Sequence, residues 1–471
     1  AQSAVLQDDG LQKCLTAHHG PLHGQPPDLI AGGADAVHPG YGFLSENAGF
    51  ARKCEVAGIT FIGPRAETIE RMGDKISARR SMTEAGVPVV PGIQRQLESA
   101  TEAERICREI GLPVILKAAS GGGGKGMRLI RSESEIGEAY AAAKSEALSS
   151  FGDETVYIEK YIEEPHHIEF QILGDAHGNI VHLYDRECSV QRRHQKIVEE
   201  SPSPFLTDEL RQEMGKTAAA AARAVGYVGA GTIEFLVDKN RNFYFLEMNT
   251  RLQVEHPVTE EVLGLNLVKE QIYIASGRPL HLRQTDIVQR GHSIECRICA
   301  EDADNGFMPS PGLVKQVTEP NGLGIRIDSY IYEGYEIPVY YDPMISKLIV
   351  RATTREYAVQ RMRAALDEYK VTGIKTNISY LNAIMHTPDF VRGGYDTAFL
   401  EKNEKIIHRY LREPFPAGAD DRLVEDLVLI AAQIDYLVMQ QEGGGSSPAA
   451  ADTGTLNRWR EFGKRKGVMG I

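Results

Sequence analysis

The sequence predicts an α/β architecture that gives way to a smaller α+β unit. Three observations carry this. A strand-like run at 112–119 feeds a Gly-rich loop and then an Ala/Glu-rich helical stretch at 133–149. Successive strand-like runs follow at 155–162, 167–173 and 179–188. Beyond about residue 290 the pattern changes to short strands and turns, with helical spacing near 355–369 and 376–387. At roughly 150 residues per domain, 471 residues correspond to about three domains.

Taken in chain order, residues 1–33 are rich in His, Gly and Pro and have no clean period. Residues 34–43 read as a short strand running into a Gly/Pro turn, and 58–64 as another strand ending in a turn. Helical spacing covers 66–85, 207–225 and 261–277. TIEFLVD and NFYFLEMN, within 232–249, read as a hairpin turning at 239–242. The end differs again: a helix-like stretch at 423–440, a Gly/Ser/Ala/Pro linker, and a basic RWREFGKRKG terminus.

Composition removes whole classes of function. Hydrophobic residues at 42% supply material for large cores, so the chain as a whole is not disordered. Fifty-two Lys and Arg against 65 Asp and Glu leave a net charge of −13, which argues against a general nucleic-acid binder. No uncharged apolar run approaches the ~20 residues of a membrane span. Six cysteines in 471 residues are too sparse for a disulfide framework. Cys296 and Cys299 form a lone C-x-x-C with no second pair at zinc-site spacing, and read as two reduced thiols on a buried strand. No signal peptide is visible, and a reduced cytoplasmic protein is the expectation.

Four motifs carry chemistry. Ser120-Gly-Gly-Gly-Gly-Lys-Gly-Met lets backbone N–H groups approach phosphate oxygens. Gly121, Gly123 and Gly126 also satisfy G-x-G-x-x-G, but no strand ending in an acidic residue follows at dinucleotide spacing. Walker A fails because Gly126 follows Lys125 where Ser or Thr should stand. Glu234 and Glu247 lie on the two arms of the hairpin, and Glu247 shares a strand face with Asn249. Two carboxylates and an amide on one surface suit Mg²⁺ with phosphates completing its shell, although a solvated charged face has the same spacing. In Asn249-Thr-Arg-Leu-Gln-Val-Glu-His-Pro, Arg251, Gln253 and Glu255 alternate; an Arg grips a planar oxyanion, and a nearby Glu serves as a base. Gln191-Arg-Arg-His-Gln-Lys is a dense basic cluster, equally readable as an anion site or a solvated loop.

From about Ala34 to about Asn403 the chain closely resembles the biotin carboxylase component of acyl-CoA carboxylases, of the ATP-grasp fold. The runs that carry the resemblance are HPGYGFLSEN, MGDK, ILKAASGGGGKGM, YIEKYIEEPHHIEFQIL, QRRHQKIVEE, GTIEF, FLEMNTRLQVEHPVTE, ECRICAED, PSPG and YYDPMISKLI. The resemblance implies an N-terminal Rossmann-like (pre-ATP-grasp) domain over 1–72, with 1–33 atypical. It further implies an ATP-grasp domain over 73–289 with a lid at about 90–163, a C-terminal α+β domain over 290–403, and a tail over 404–471. The reaction implied has two stages: ATP and bicarbonate give carboxyphosphate, and its CO₂ passes to N1 of biotin on a carrier protein. Mg²⁺, or Mn²⁺ in its place, is the implied metal.

The roles implied by the resemblance fall on individual residues. Lys75 and Lys117 would contact nucleotide phosphates. Glu159, Lys160 and Ile162 would form the adenine hinge, with His167 on the ribose side. Gly123, Gly124 and Gly126 would belong to the lid over the phosphates, and Gln191 and His194 to the nucleotide neighbourhood. Glu234, Glu247 and Asn249 match magnesium ligands. Lys196, Arg251, Gln253 and Val254 match the bicarbonate site, and Glu255 its base. Arg297 would stabilise the biotin enolate, and Tyr41 would line the biotin side.

The family's opening Ala-Asn-Arg-Gly-Glu-Ile-Ala run is absent. The resemblance therefore implies a truncated N-terminal domain with an exposed sheet edge and a homodimer interface in question. No Met-Lys-Met occurs, so the biotin carrier and the carboxyltransferase are expected on other polypeptides or domains. The terminal RWREFGKRKG resembles tails of some bacterial acyl-CoA carboxylase subunits, which suggests docking.

Overall fold

The computed structural model describes residues 33–93, 95–119 and 127–412, the backbone of Cys14–Thr16, and residues 429, 430 and 433. The chain divides into two compact units, 1–407 and 408–471. The Gly-rich loop, the 423–440 stretch apart from those three residues, the linker and the basic terminus lie outside the described residues.

In the first unit, β1 (Cys14–Thr16), β2 (Ala36–His38) and β3 (Thr60–Phe61) form a three-stranded parallel sheet with β2 in the centre. The strand beside β2 is thus supplied from the atypical first 33 residues, and the edge expected to be bare is paired. Helix α1 (Ala48–Val56) starts where the Asn47 side chain accepts from Phe50 N, 2.8 Å away. The stretch expected as one helix at 66–85 is two, α2 (Ala66–Gly73) and α3 (Lys75–Glu84). Asp74 is the break: its backbone is extended, and its carboxylate caps α3 by accepting from Ser77 N at 2.7 Å.

A second layer holds α4 (Ala100–Ile110), β4 (Val114–Ala118), β5 (Arg128–Ile130), α5 (Ile136–Phe151) and β6 (Val156–Lys160). Its antiparallel sheet runs β5-β4-β6. Leu97, Ile106, Val114, Leu116, Ile130, Ile136 and Ile158 form its own small core.

The main sheet has eight antiparallel strands in the order β11-β10-β7-β8-β9-β12-β14-β13. These are β7 (His166–Gly174), β8 (Ile180–Arg192), β9 (Gln195–Ser201), β10 (Gly229–Val237), β11 (Phe243–Asn249), β12 (His292–Cys299), β13 (Ile325–Ser329) and β14 (Met344–Ala352). Pairing of β9 with β12 carries the sheet across residue 290, where the sequence pattern changes. Helix α6 (Asp208–Ala224) covers one face; its Ala-rich end packs against Ile168, Phe170 and Phe235. The helix expected over 261–277 is again two, α7 (His256–Leu263) and α8 (Leu267–Ala275). Gly264 ends α7 at φ +68°, a left-handed conformation that glycine adopts without strain, and Asn266 caps α8. Helices α9 (Arg355–Glu368), α10 (Ile378–His386), α11 (Pro388–Arg392) and α12 (Phe399–Arg412) complete the described chain.

Cys296 and Cys299 are free, buried thiols on β12, as a reduced pair should be. Burial pushes the Cys299 thiol up to about 12. Among the described residues no helix is long and apolar enough to cross a membrane.

Candidate active site

The chemistry gathers on one face of the main sheet, where β7, β9, β10, β11 and β12 each contribute a charged side chain. Alternation puts Glu247 and Asn249 on the same face of β11. The register sets Glu234 of β10 directly opposite Glu247. Like charges in that relation repel. Burial, then the Glu234 charge, raises the Glu247 carboxyl above its ordinary value. A divalent cation between the two would remove that repulsion, so these residues fit one. Asn249 is tied in: its Nδ2 donates to Glu234 Oε1 at 2.9 Å, and its Oδ1 accepts from Arg251 Nη2 at 3.0 Å.

Lys196 of β9 is the hub beside this pair. Its buried ammonium donates to Glu169 Oε2 at 2.6 Å, Glu255 Oε1 at 2.6 Å and Glu234 Oε1 at 3.0 Å. Burial opposes that charge, but three carboxylates outweigh it and hold Lys196 well above the usual lysine range. His167, Glu169 and Glu234 bring ligand atoms within 4.8 Å of one another, but the Lys196 ammonium already bonds to two of them. His167 Nε2 lies 2.8 Å from Glu234 Oε2, and its Nδ1 lies 2.7 Å from Gln191 Nε2.

Glu255 sits immediately before α7 and joins two cations. Its second oxygen accepts from Arg297 Nη2 at 3.0 Å. Burial pushes its carboxyl up, but Lys196, Arg297 and Arg186 together hold it well below the carboxylate range. It is therefore ionised, the state that a base requires. Arg297 of β12 also donates from Nε to Glu199 Oε1 at 2.6 Å. The alternation of 251, 253 and 255 does not come from a strand, because these residues form the loop between β11 and α7. They converge all the same: Gln253 Nε2 donates to Glu234 Oε1 at 2.8 Å, and Arg251 Nε donates to Glu46 Oε2 at 2.8 Å.

Lys75, Lys117 and Glu159 form a neighbouring cluster on α3, β4 and β6. Burial lowers the Lys75 ammonium, with Glu247 opposing and Lys117 adding to the fall. The Glu159 carboxylate is engaged by Lys117 Nζ at 2.6 Å and by Arg79. Lys160 Nζ is held by the carbonyls of Gly111 and Leu112 at 3.0 and 2.9 Å. The side chains of Glu159 and Lys160 are thus engaged within the protein.

The three parts of the chain match family models. Residues 29–69 match the biotin carboxylase N-terminal domain, 74–283 the ATP-binding domain of the carbamoyl-phosphate synthase L chain, and 295–402 the biotin carboxylase C-terminal domain. Biotin carboxylase 1 of Bacillus subtilis is 53% identical over 370 residues, 78% of this chain and 82% of that protein.

The chain belongs to the biotin carboxylase family.

That membership brings the family's reaction, ATP-dependent carboxylation of biotin. A pyruvate carboxylase subunit of Methanothermobacter thermautotrophicus is 52% identical over 395 residues, 84% of this chain and 80% of that one. The biotin carboxylase domain dimer of Hydrogenobacter thermophilus 2-oxoglutarate carboxylase, in complex with MgADP, ADP and bicarbonate, is 51% identical with a TM-score of 0.79. It covers 81% of this chain and 84% of its own. The fold is the ATP-grasp fold of biotin carboxylases.

Against this family background, the remaining candidates divide. Gly123, Gly124 and Gly126 lie outside the described residues. Val254 contributes a carbonyl that accepts from Lys347 Nζ at 2.9 Å. Tyr41 is 42% exposed. The QRRHQK cluster splits: Gln191 and Lys196 turn inward, while Arg193 and His194 are exposed. Those two form the two-residue β8–β9 turn at φ +51° and +65°, a conformation that usually takes Asn-Gly. His194 is thus presented at a strained turn, and the described residues do not bring it to the Lys196 cluster.

Reading the sequence alone missed Arg186, Glu169, Glu199 and Glu46. Arg186 is fully buried and donates to Glu169, Gln171, Thr232, Gln253 and Thr259. An Arg inside an apolar strand run (NIVHLYDREC) was the available signal, because such a residue is rarely buried unless paired.

Proposed function

We propose that this biotin carboxylase catalyses the first half-reaction of an acyl-CoA carboxylase, acetyl-CoA or propionyl-CoA being the eventual acceptor. Biotin is presented on a separate carrier protein, and a separate carboxyltransferase completes the cycle. The observation that carries the reading is the Lys196–Glu255–Arg297 chain beside the Glu234–Glu247–Asn249 set. Mg²⁺ held by Glu234, Glu247 and Asn249 would neutralise phosphate charge during transfer. Lys75 and Lys117 would hold the nucleotide phosphates. Arg251, with Lys196, Gln253 and the Val254 backbone, would clamp bicarbonate. Glu255 would take the bicarbonate proton, so that the freed oxygen attacks the γ-phosphorus and ADP leaves. The resulting carboxyphosphate would break into CO₂ and phosphate, the phosphate would take the N1 proton of biotin, and N1 would bond to CO₂ while Arg297 stabilises the negative charge on the ureido oxygen.

A 2-oxoacid acceptor is the second reading, favoured by the 52% identity to a subunit of pyruvate carboxylase. Both readings share this half-reaction, because the acceptor meets the carboxyltransferase. A cytoplasmic homodimer that binds neither membrane nor nucleic acid fits this role. The test is ADP release by the purified chain with Mg-ATP and bicarbonate, with and without free biotin. Biotin-stimulated, bicarbonate-dependent release is expected. A cooperatively folded sample with no stimulation would overturn the proposal.

A further inference from the structure

Behind Arg297 lies a pair of carboxyls that none of the roles above uses. Register sets Glu199 of β9 directly opposite Glu295 of β12. Both are fully buried. Arg297, two residues beyond Glu295, shares its face and reaches diagonally back to Glu199 Oε1. Among the described residues, Glu199 Oε2 and both Glu295 oxygens have no hydrogen-bond partner. Buried oxygens without partners are costly, and two opposed carboxylates cannot comfortably both be ionised. One proton resolves both problems.

We propose that Glu199 and Glu295 form a carboxyl pair sharing one proton, in which Glu295 donates to Glu199 Oε2 and so keeps Glu199 as the fixed counter-ion that positions Arg297 for biotin. The inference rests on the reading of Arg297 as the biotin-facing cation. Arg297 has two carboxylate partners with different fates. Glu255, as base, acquires the bicarbonate proton and loses its hold on Nη2. Glu199 does not react, so its Oε1, which meets both Nε and Nη2, keeps the guanidinium anchored while Nη2 loses its second carboxylate and can turn a hydrogen toward the ureido oxygen.

The surrounding charges agree. Glu199 is faced by Arg297, Glu295 and Cys296 on β12, Cys188 on β8, Lys196 on its own strand and Glu255 before α7; Lys347 of β14 faces Glu295. Burial carries the Glu199 carboxyl up to about 7, against the pull of Arg297. Burial, with the Glu199 charge adding to it, keeps Glu295 well above the carboxylate range, hence protonated and able to donate. Glu199 would then lose its charge as pH falls below neutrality, and a donor at 295 moves that loss to lower pH.

The test is the pH profile of biotin-stimulated ADP release for wild type, Glu295→Gln, Glu295→Leu and Glu199→Gln. Wild type without stimulation would remove the proposed function itself, and this inference with it. With wild type active, Glu295→Gln, which still donates, is expected to keep the acidic limb in place. Glu295→Leu, of similar size but without a donor, should move that limb upward by about 1 pH unit. Glu199→Gln should lower biotin-stimulated release at least about tenfold more than the release with bicarbonate alone. A merely structural carboxyl predicts an unmoved limb for Glu295→Leu, since apolar replacement of a buried polar group of similar size is often neutral or stabilising. An unmoved acidic limb in a cooperatively melting Glu295→Leu protein overturns the proposal. Equal losses of both activities in Glu199→Gln overturn it as well.

Discussion

Glu255 and Lys196 illustrate how burial converts ordinary side chains into reagents. Neither could stay charged alone in a dry interior. Lys196 is charged because Glu169, Glu234 and Glu255 surround it, and Glu255 because Lys196, Arg297 and Arg186 do. Glu255→Gln keeps the shape and removes the base. We expect it to leave Mg-ATP affinity nearly intact and to lower bicarbonate-dependent ADP release by about 10²–10⁴-fold, the usual yield of general base catalysis. Unchanged turnover would exclude Glu255 as the base. Arg186 is a structural counterpart. Arg186→Met leaves the buried Glu169 Oε1 without its donor, Lys196 reaching only Oε2, and unpins Gln253. Removing one partner of a buried ion pair costs about 3–5 kcal/mol, so a clear drop in urea midpoint is expected, and an unchanged midpoint would contradict a structural role for Arg186.

Strand β9 uses its period of two for two different ends. Glu199 points to Arg297, and Glu200, its neighbour, points through the other face into a buried lock. There Glu200 accepts from Arg355 Nε at 2.8 Å and Nη2 at 2.9 Å, and it also meets His292 and Tyr395. Burial pushes Glu200 up, but Arg355 and His292 more than reverse this and hold it at about 2, below its ordinary 4.5. A depressed folded-state value stabilises the fold above the unfolded value. That contribution is lost as pH falls from about 4.5 toward about 2. Wild type should therefore lose stability through this window. Glu200→Gln should start less stable by about 3–5 kcal/mol and show a flatter dependence there. Parallel stability curves for the two proteins would refute the assignment.

At the scale of the whole molecule, Glu46 ties the segment before α1 to the candidate site. Glu46, in the loop before α1, accepts from Thr250 N at 3.1 Å and Arg251 Nε at 2.8 Å. Glu46→Gln is expected to raise the bicarbonate KM about tenfold while nucleotide affinity holds, since it loosens only the Arg251 clamp. Equal effects on both ligands would point to a domain-packing role. Mg-ATP should stabilise the folded chain by ~2.7 kcal/mol at a hundredfold excess over Kd. Without a divalent cation the gain should shrink, because Glu234 and Glu247 then repel the phosphates. A melt insensitive to magnesium would contradict the metal assignment to these residues.

Much of this was legible before folding. Period-two runs marked β7, β8, β10 and β11, and the Glu234, Glu247 and Asn249 set could be placed on one hairpin from spacing alone. The breaks at Asp74 and Gly264 were not read, because a helical pattern continues through both and only cap geometry reveals the interruption. Local periodicity states which residues share a face; it is silent on which strand lies opposite. The residue types, the local elements and the family therefore come from sequence. The pairing of β9 with β12 sets Glu199 against Glu295 and Arg297, and it exists only in the folded chain. The ionisation of these groups depends on that pairing as well, since it is set by burial and by charges that lie 42 to 98 residues apart along the chain.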